Sequence, residues 1–234
     1  MIGRRTLGRA FALAAGGVLL AFVLLHLYFA AMIAWWAHHP PVATAFMTER
    51  MAILRERDPR AKLQYRFVPY PRIAGTLKRA MIAAEDAKFV DHEGFDWDGI
   101  EVALEKNERR GRIVAGGSTI TQQLAKNLFL TGTRSWLRKG EEAVITLMLE
   151  AMLDKRRIFE LYLNVIEWGN GVFGAEAAAQ RYFGVPASRL STEQAARLAA
   201  MAPNPRYYEH HPAAPGLAKK IRIILARMPA ADLP

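Results

Sequence analysis

Two glutamates in different surroundings are the residues of this chain best suited to acid–base chemistry. Glu85 follows the apolar residues 82–84 at the end of a predicted helix, where partial loss of solvent would raise its pKa toward that of a general base. Glu142 comes three and four residues after Lys139 and Arg138, so all three share a helix face and the ionised carboxylate is favoured. Enzymes that transfer or hydrolyse sugars use carboxylate pairs in such unlike environments.

A structural interpretation competes at each position. Glu85 lies in the acidic segment of residues 83–99, where a solvated helix terminus explains the carboxylate as well as catalysis does. Residues 138–142 alone favour an exposed salt-bridged helix face, which contributes only about a few tenths of a kcal/mol. His92, beside Gly94, is more typical of a structural hydrogen-bonding residue than of a ligand or an acid.

Asp96 and Asp98 form an Asp-x-Asp sequence, which some glycosyltransferases use to bind a metal and a nucleotide sugar. A local interpretation is preferred, because Asp98 begins a helical pattern and Glu101 follows three residues later, an approximate capping box. No strand–helix pattern for nucleotide binding surrounds the pair. The sequence therefore predicts Asp98 as the cap of the next helix.

Residues 116–130, GGSTITQQLAKNLFL, predict a ligand-binding loop that runs into a helix with two different faces. Ser118, Gln122 and Lys126 recur every four residues and predict one polar stripe. Two glycines leave the helix N-terminus open to a polar or anionic ligand. The buried stripe is predicted to consist of Ile120, Leu124 and Leu128.

Three basic side chains near this helix suit a phosphate or a pyrophosphate. They are Lys126, Arg134 and Lys139. Residues 128–137 add an apolar stretch around a Thr-Gly-Thr turn, which suits contact with a lipid-linked substrate and ordinary core packing equally well.

The composition is that of a folded protein with an anionic partner. The chain has 234 residues, 52% of them hydrophobic, enough for one domain with appendages. It has no cysteine, which excludes disulfides and thiolate metal sites. The net charge of +10 suits nucleic acid, anionic lipid head groups or a phosphorylated substrate.

The N-terminal residues predict a membrane anchor. Residues 10–36 are apolar apart from His26 and are long enough to cross a hydrocarbon core of ~30 Å. Arg4, Arg5 and Arg9 precede them and place the N-terminus in the cytoplasm. A cleaved signal peptide is the alternative, but the apolar run is too long for it. The rest of the chain would lie outside the cytoplasmic membrane, which argues against nucleic acid as a partner.

The rest of the chain predicts a mainly α domain. A juxtamembrane helix is predicted within residues 41–60 and a short strand at residues 63–68. The further helices are predicted near residues 73–87, 97–109, 119–130, 135–153, 155–167, 173–182, 191–201 and 215–228. The predicted organisation is a cytoplasmic N-terminus (1–9), a transmembrane helix (10–36), a juxtamembrane segment (37–61) and a periplasmic domain (62–234).

Five segments, taken together and in order, resemble the family-51 glycosyltransferases, the peptidoglycan polymerases that use lipid II, and most closely their monofunctional Gram-negative form. The segments are AAEDAKFVDHEGFDWDGI, GGSTITQQLAKNLFL, RSWLRKGEEA, RIFELYLNVIEWGNGVFGAEAAAQRYFG and LSTEQAARLAAMAPNP. They cover roughly residues 62–208. The resemblance implies a lysozyme-like helical fold with a small membrane-proximal jaw subdomain. One departure is Val102, where some relatives carry an arginine.

The resemblance also implies a role for each matching residue. Glu85 would deprotonate the acceptor 4-hydroxyl, which attacks the anomeric carbon with inversion. Glu142 would assist the departure of undecaprenyl pyrophosphate, directly or through a divalent cation such as Mg²⁺ or Mn²⁺, although the family resemblance makes no cofactor a requirement. The basic pyrophosphate ligands would be Lys126, Arg134 and Lys139. The hydrogen-bonding groups would be Ser118, Gln122, Gln123 and Asn127.

The implied partners are lipid II, the nascent glycan strand and lipids of the inner membrane, with cell-wall synthesis or division proteins as further candidates. The chain ends at Pro234, before any transpeptidase domain, so polymerisation without peptide cross-linking is expected. Two alternatives remain at this stage: a membrane-bound lytic peptidoglycan hydrolase, and a non-enzymatic envelope scaffold that binds lipid II.

Overall fold

The structure is a computed structural model that describes residues 4–112, 116–133 and 135–234. The chain divides into two compact units, Met1–His39 and Pro40–Pro234. The first unit contains helix α1, Arg4–Trp36. Within α1, the 26 residues Phe11–Trp36 are long and apolar enough to cross a membrane. The predicted N-terminal apolar helix is therefore confirmed, while the direction in which it inserts stays a prediction.

The second unit is mainly helical, which confirms the predicted fold class. The helix Ala45–Arg57 confirms the helix predicted within residues 41–60, whereas the short helix Pro205–His210 was not predicted. The helices are α2 (Ala45–Arg57), α3 (Gly75–Glu85), α4 (Trp97–Arg110), α5 (Ile120–Phe129), α6 (Trp136–Met152), α7 (Lys155–Val165), α8 (Ala175–Phe183), α9 (Thr192–Met201), α10 (Pro205–His210) and α11 (Pro215–Arg227).

A small sheet joins the beginning of this unit to its middle. Its strands are β1 (Gln64–Tyr65), β2 (Glu167–Gly169) and β3 (Val172–Phe173), in the order β1-β3-β2. β1 runs parallel to β3, and β2 runs antiparallel to it. The predicted strand at 63–68 is confirmed in a shorter form, whereas the helices predicted to reach residue 167 and to start at residue 173 overlap β2 and β3.

The start of α4 corrects the prediction made for Asp98. The carboxylate of Asp96 accepts a hydrogen bond from the backbone amide of Gly99 at 3.0 Å, so Asp96 is the cap. Asp98 lies inside the first turn, where its carboxylate accepts from Lys88 at 2.8 Å. The helix begins at Trp97, as predicted, so Asp96 is the residue just before it whose carboxylate reaches the unpaired amides, and Asp98 is already helical.

Two sets of packed helices determine where the polar residues lie. α3 packs against α9 and α11, and α5 packs against α2, α6 and α7. The apolar face of each central helix is fully buried, with Leu77 and Met81 on α3 and Leu124 on α5. The prediction that Ile120, Leu124 and Leu128 form the buried stripe is confirmed. The end of α3 is thereby fixed beside the first turns of α5.

Candidate active site

The C-terminal end of α3 presents Glu85 to α5. Glu85 is the last residue of α3 and is half-buried. Its Oε2 accepts a hydrogen bond from Nε2 of Gln123 at 2.7 Å. Its Oε1 is buried and accepts no hydrogen bond from the residues that the structure describes. One carboxylate oxygen is therefore fixed by an amide, and the other has unused accepting capacity.

Burial raises the pKa of the Glu85 carboxyl above its usual value, in the direction predicted from the apolar residues before it. The hydrogen bond from Gln123 and the positive charges of Lys220 and Lys126 oppose this rise, and the neighbouring Asp86 adds to it. A carboxylate with a raised pKa is a stronger base than a solvated one. Its environment therefore suits proton abstraction.

The orientation of Gln123 is determined by a tyrosine behind it. Tyr162 of α7 is fully buried, and its hydroxyl donates to Oε1 of Gln123 at 3.2 Å. Burial raises the pKa of Tyr162 well above its usual value, so the phenol stays protonated and acts as the donor. Because the amide oxygen faces Tyr162, the amide nitrogen faces Glu85.

Asp86, the residue after the glutamate, ties α3 to the start of α5. Its carboxylate is buried; Oδ2 accepts from the backbone amide of Ile120 at 2.9 Å, and Oδ1 is bonded to Nε2 of His92 at 2.9 Å. Ile120 is the first residue of α5, whose first amides lack partners within the helix. The structural interpretation of His92 is confirmed, since it bonds to this helix-capping carboxylate.

Glu142 on α6 is a buried carboxylate with two cationic partners. Only 4% of the residue is exposed. Its Oε2 accepts from Nη1 of Arg138 at 2.7 Å, and its Oε1 accepts from Nζ of Lys139. The predicted shared face is confirmed, but the interpretation as an exposed surface pair is wrong, because the carboxylate faces the interior. Lys139 also donates to Oγ of Ser118 at 3.4 Å, which connects α6 to the loop before α5.

Lys126 on α5 is electrostatically coupled to both glutamates. Burial lowers its pKa, the negative charges of Glu142 and Glu85 oppose that change, and Arg138 and Lys139 add to it. A half-buried ammonium among these groups is an attractive site for an anion. Glu85, Glu142, Lys126 and Lys139, which come from separate sequence segments, therefore belong to one electrostatic cluster.

The predicted polar stripe on α5 is only partly correct. Ser118 is exposed and Lys126 is half-buried, but Gln122 is only 3% exposed. The side chain of Gln122 accepts from the amide of Thr119, whose hydroxyl accepts from the amide of Gln122, a capping box that starts α5. The exposed position predicted for Gln122 is therefore wrong, because the helix end uses its side chain.

The remaining predicted site residues near α5 are Asn127 and Arg134. Asn127 is buried, and its Nδ2 donates to the backbone oxygen of Gln123 at 2.7 Å, which stabilises the turn of α5 that carries Gln123. Arg134 lies outside the residues that the structure describes.

A pocket of about 170 Å³ opens beside Glu85. One wall comes from the end of α3 and the loop after it, and the opposite wall from the glycine-rich loop before α5. A Cβ at Gly117 would lie 3.2 Å from the Cα of Ile100, a tight contact that favours glycine in that wall. The lining residues are Ala83, Ala84, Glu85, Asp86, Ala87, Asp96, Gly99, Gly116, Gly117, Ser118, Thr119 and Arg227.

Comparison with known protein families identifies the family of this chain. A model of the transglycosylase family (Transgly) matches residues 52–229. The chain belongs to the transglycosylase family. It is 63% identical over 214 residues to the biosynthetic peptidoglycan transglycosylase of Chromobacterium violaceum. The aligned residues make up 92% of this chain and 94% of the relative. It is 60% identical over 230 residues to the protein of the same name from Dechloromonas aromatica, at 98% and 100% coverage.

A third relative supports the same assignment. The biosynthetic peptidoglycan transglycosylase of Methylobacillus flagellatus is 62% identical over 221 residues, covering 93% of this chain and 96% of the relative. The comparisons therefore extend along most of this transglycosylase, including every part of the cluster around Glu85 and Glu142.

A divalent cation at Glu142 does not fit the described side chains of this transglycosylase. Both carboxylate oxygens of Glu142 accept from cationic groups, Arg138 and Lys139, which would repel a second cation. Among the described ranges of the chain, no group of three or more His, Asp or Glu side chains converges as a metal site would. The positive charge near Glu142 is therefore supplied by the protein.

The sequence did not predict two residues that hold the site of this transglycosylase in place, Tyr162 and Asp86. Tyr162 was not identified, because a tyrosine inside an apolar helix has the pattern of a core residue. Asp86 was counted only among the acidic neighbours of Glu85. The signal that was available for Asp86 is its place between a helix end and a glycine-rich helix start, where a carboxylate can cap the second helix.

Proposed function

We propose that this chain is a peptidoglycan glycosyltransferase that polymerises lipid II into glycan strands. The observation that carries the proposal is the arrangement of Glu85, a base with a raised pKa and one unused oxygen, in the same electrostatic cluster as Lys126 and the Lys139–Glu142 pair. Family membership and the relatives' names support the reaction class. The apolar Phe11–Trp36 helix supports a membrane-anchored enzyme.

In the proposed reaction, Glu85 acts on the acceptor. The 4-hydroxyl of lipid II would donate its proton to a carboxylate oxygen of Glu85 as the hydroxyl oxygen bonds to the anomeric carbon of the growing strand. The bond from that carbon to the pyrophosphate breaks, and its electron pair leaves with undecaprenyl pyrophosphate. Attack opposite to the leaving group inverts the anomeric carbon. The hydrogen bond from Gln123 keeps the base in place for this step.

The donor pyrophosphate would bind to the cationic side of the cluster. Lys126 and Lys139 are the described groups that can pair with its oxygens, and Arg134 is proposed as a third. Charge accumulates on the leaving pyrophosphate in the transition state, so fixed ammonium groups stabilise that state more than the bound substrate. Glu142 holds Arg138 and Lys139 in position through its two oxygens.

The same cluster supports transfer over hydrolysis. A hydrolase that uses two carboxylates needs the second one free for water or for the sugar, whereas both oxygens of Glu142 accept from cations. The inner membrane, with the second unit on its periplasmic side, is the proposed location. Lipid II, the nascent strand and membrane lipids are the proposed partners.

The test is incubation of the detergent-solubilised full-length chain with lipid II and, separately, with purified cell-wall sacculi. Polymer from lipid II and no soluble fragments from sacculi is the expected result. Soluble fragments without polymer would establish the lytic hydrolase instead. Binding of lipid II without either product, while a known polymerase works in the same buffer, would establish a scaffold.

A further inference from the structure

Helix α2 contributes side chains to the candidate active site from its first half, which precedes the family match. α2 runs from Ala45 to Arg57, whereas the transglycosylase match begins at residue 52. The sequence predicted only a juxtamembrane helix here. In the structure α2 packs directly on α5, the helix that carries Gln123 and Lys126.

Glu49 of α2 binds the turn between α5 and α6. Its Oε2 accepts a hydrogen bond from the backbone amide of Gly132 at 2.7 Å. Residues 131–133 follow α5, which carries Lys126, and shortly precede α6, which carries Lys139. A carboxylate that accepts a backbone amide forms a charge-assisted bond, about twice as strong as a neutral one. Glu49 therefore restrains the connection between the two helices that supply the proposed pyrophosphate ligands.

Phe46 contacts the same two features from one turn earlier on α2. The ammonium of Lys126 lies 5.6 Å from the centre of the Phe46 ring, within the range of a cation–π contact. A Cβ on Gly132 would lie 3.5 Å from the ring edge of Phe46 and 3.4 Å from Oε2 of Glu49. Phe46 and Glu49 together thus form a surface against which both Lys126 and the Gly132 turn rest.

α2 is also attached to the sheet and to the buried part of the unit. Met47 and Met51 are buried. Nε of Arg50 donates to Oε1 of the buried Glu167 on β2 at 3.4 Å, and the Phe46 ring meets the Phe173 ring on β3 edge-on at 6.4 Å. Thr44 caps the start of the helix. Because α2 is anchored in this way, it can position the groups that it contacts.

We propose that Glu49 and Phe46 are positioning residues of the donor site: they hold the Gly132 turn and the Lys126 ammonium where the pyrophosphate of the lipid-linked donor binds. The proposal rests on the function proposed above. It makes α2 a structural part of substrate binding as well as the segment that follows the apolar helix in the chain.

The test compares Glu49→Ala with Glu56→Ala, a matched change at an exposed glutamate farther along the same helix. Hydrogen exchange of the segment around Gly132 in the detergent-solubilised full-length chain is the first measurement. Loss of this hydrogen bond, which is exposed to solvent, predicts roughly fivefold faster exchange for Glu49→Ala and no change for Glu56→Ala. Equal exchange in the two variants would overturn the proposal.

Steady-state polymerisation is the second measurement. Glu49→Ala should raise the KM for lipid II about fivefold and change kcat by less than about twofold, because it disturbs binding and leaves Glu85 in place. Glu49→Gln keeps an accepting oxygen, should restore most of the affinity, and carries the test if Glu49→Ala does not fold. Phe46→Leu should raise the KM in the same direction. Faster exchange with an unchanged KM would show that the contact only stabilises the fold, against the proposal.

The exchange measurement does not depend on catalysis. If the wild-type chain forms no polymer, the proposed function fails, and equal exchange in Glu49→Ala and Glu56→Ala would separately show that Glu49 does not hold the turn.

Discussion

The amide nitrogen of Gln123 donates a 2.7 Å hydrogen bond to Oε2 of Glu85. The contact stabilises the ionised carboxylate against the burial that raises the Glu85 pKa, and so helps to set the pH at which the base becomes active. It also joins the end of α3 to the middle of α5, the two elements that bring together the candidate base and the candidate pyrophosphate ligands. Four predictions test the contacts around this pair.

Gln123→Leu should shift the acid limb of the pH–rate profile upward. Removing the hydrogen bond takes away a stabiliser of the charged form, so the pKa of Glu85 rises further and a higher pH is needed to ionise the base. A charge-assisted bond of about 1.5 kcal/mol corresponds to roughly one pH unit. The measurement is the polymerisation rate between about pH 5 and about pH 9, a range wide enough to contain the acid limb of the wild type and of the variant.

The matched control is Gln180→Leu, which removes another glutamine–glutamate hydrogen bond, from Gln180 to Glu176 at 3.2 Å on α8. The acid limb should stay in place for this variant. An equal shift in both variants would mean that the limb reports general loosening of the fold, and the role of Gln123 would have to be abandoned.

Tyr162→Phe should produce a smaller shift in the same direction. The change leaves Oε1 of Gln123 without its 3.2 Å donor and weakens the orientation that turns Nε2 toward Glu85. A lost neutral hydrogen bond of about 1 kcal/mol predicts a fall in kcat of roughly threefold to fivefold. Tyr182→Phe, which removes a 2.6 Å bond to the backbone of Trp168, should lower stability without moving the limb. If the acid limb of Tyr162→Phe stayed at the wild-type pH, that result would count against the role of Tyr162 in orienting Gln123.

The two glutamates should differ in their effect on stability at neutral pH. Glu142→Gln removes the ion pairs of a buried carboxylate with Arg138 and Lys139. It should lower the free energy of unfolding by about 2 kcal/mol, which is less than for a fully buried pair because both cations reach solvent. Glu85→Gln removes a carboxylate that burial disfavours, so the free energy of unfolding should stay the same or rise. Thermal unfolding of both variants in the same detergent measures the contrast. The reverse order would contradict the assigned environments.

Asp86→Ala should lower both stability and activity. The variant loses the cap on the Ile120 amide and the bond to His92, a cost of about 2 kcal/mol, and it frees the start of α5 from α3. Asp154→Ala removes the comparable cap of α7 and should lower stability with little change in kcat. If the two variants lose activity equally at a temperature where both are folded, the positioning role of Asp86 is unsupported.

The sequence predicted most of the helices well because a helix depends on local patterns. The apolar spacing of Ile120, Leu124 and Leu128 determined the buried face of α5, and the cationic neighbours of Glu142 were visible at helical spacing. Burial of Glu142 was not predictable in this way. It depends on the packing of α6 against α5, which no single helix pattern contains.

The errors have physical causes of the same kind. Gln122 was expected on an exposed stripe, but its position three residues after Thr119 lets its side chain cap the helix, which buries it. The strands β2 and β3 were missed, because residues 168–172 were predicted as a loop between two helices, although Asn170 and Gly171 are a strong signal for a hairpin turn. Glu49 carried no signal at all, because its partner is a backbone amide far along the chain.

The central claim is that Glu85 is the base in glycan polymerisation from lipid II, and the most direct measurement is the rate of polymer formation by Glu85→Gln beside the wild-type chain, with lipid II binding measured on the same samples. The account predicts polymer from the wild type, a loss of at least ~100-fold in the variant, and binding within about threefold of wild type, since the cationic cluster is intact. A variant that polymerises lipid II at the wild-type rate would contradict the account.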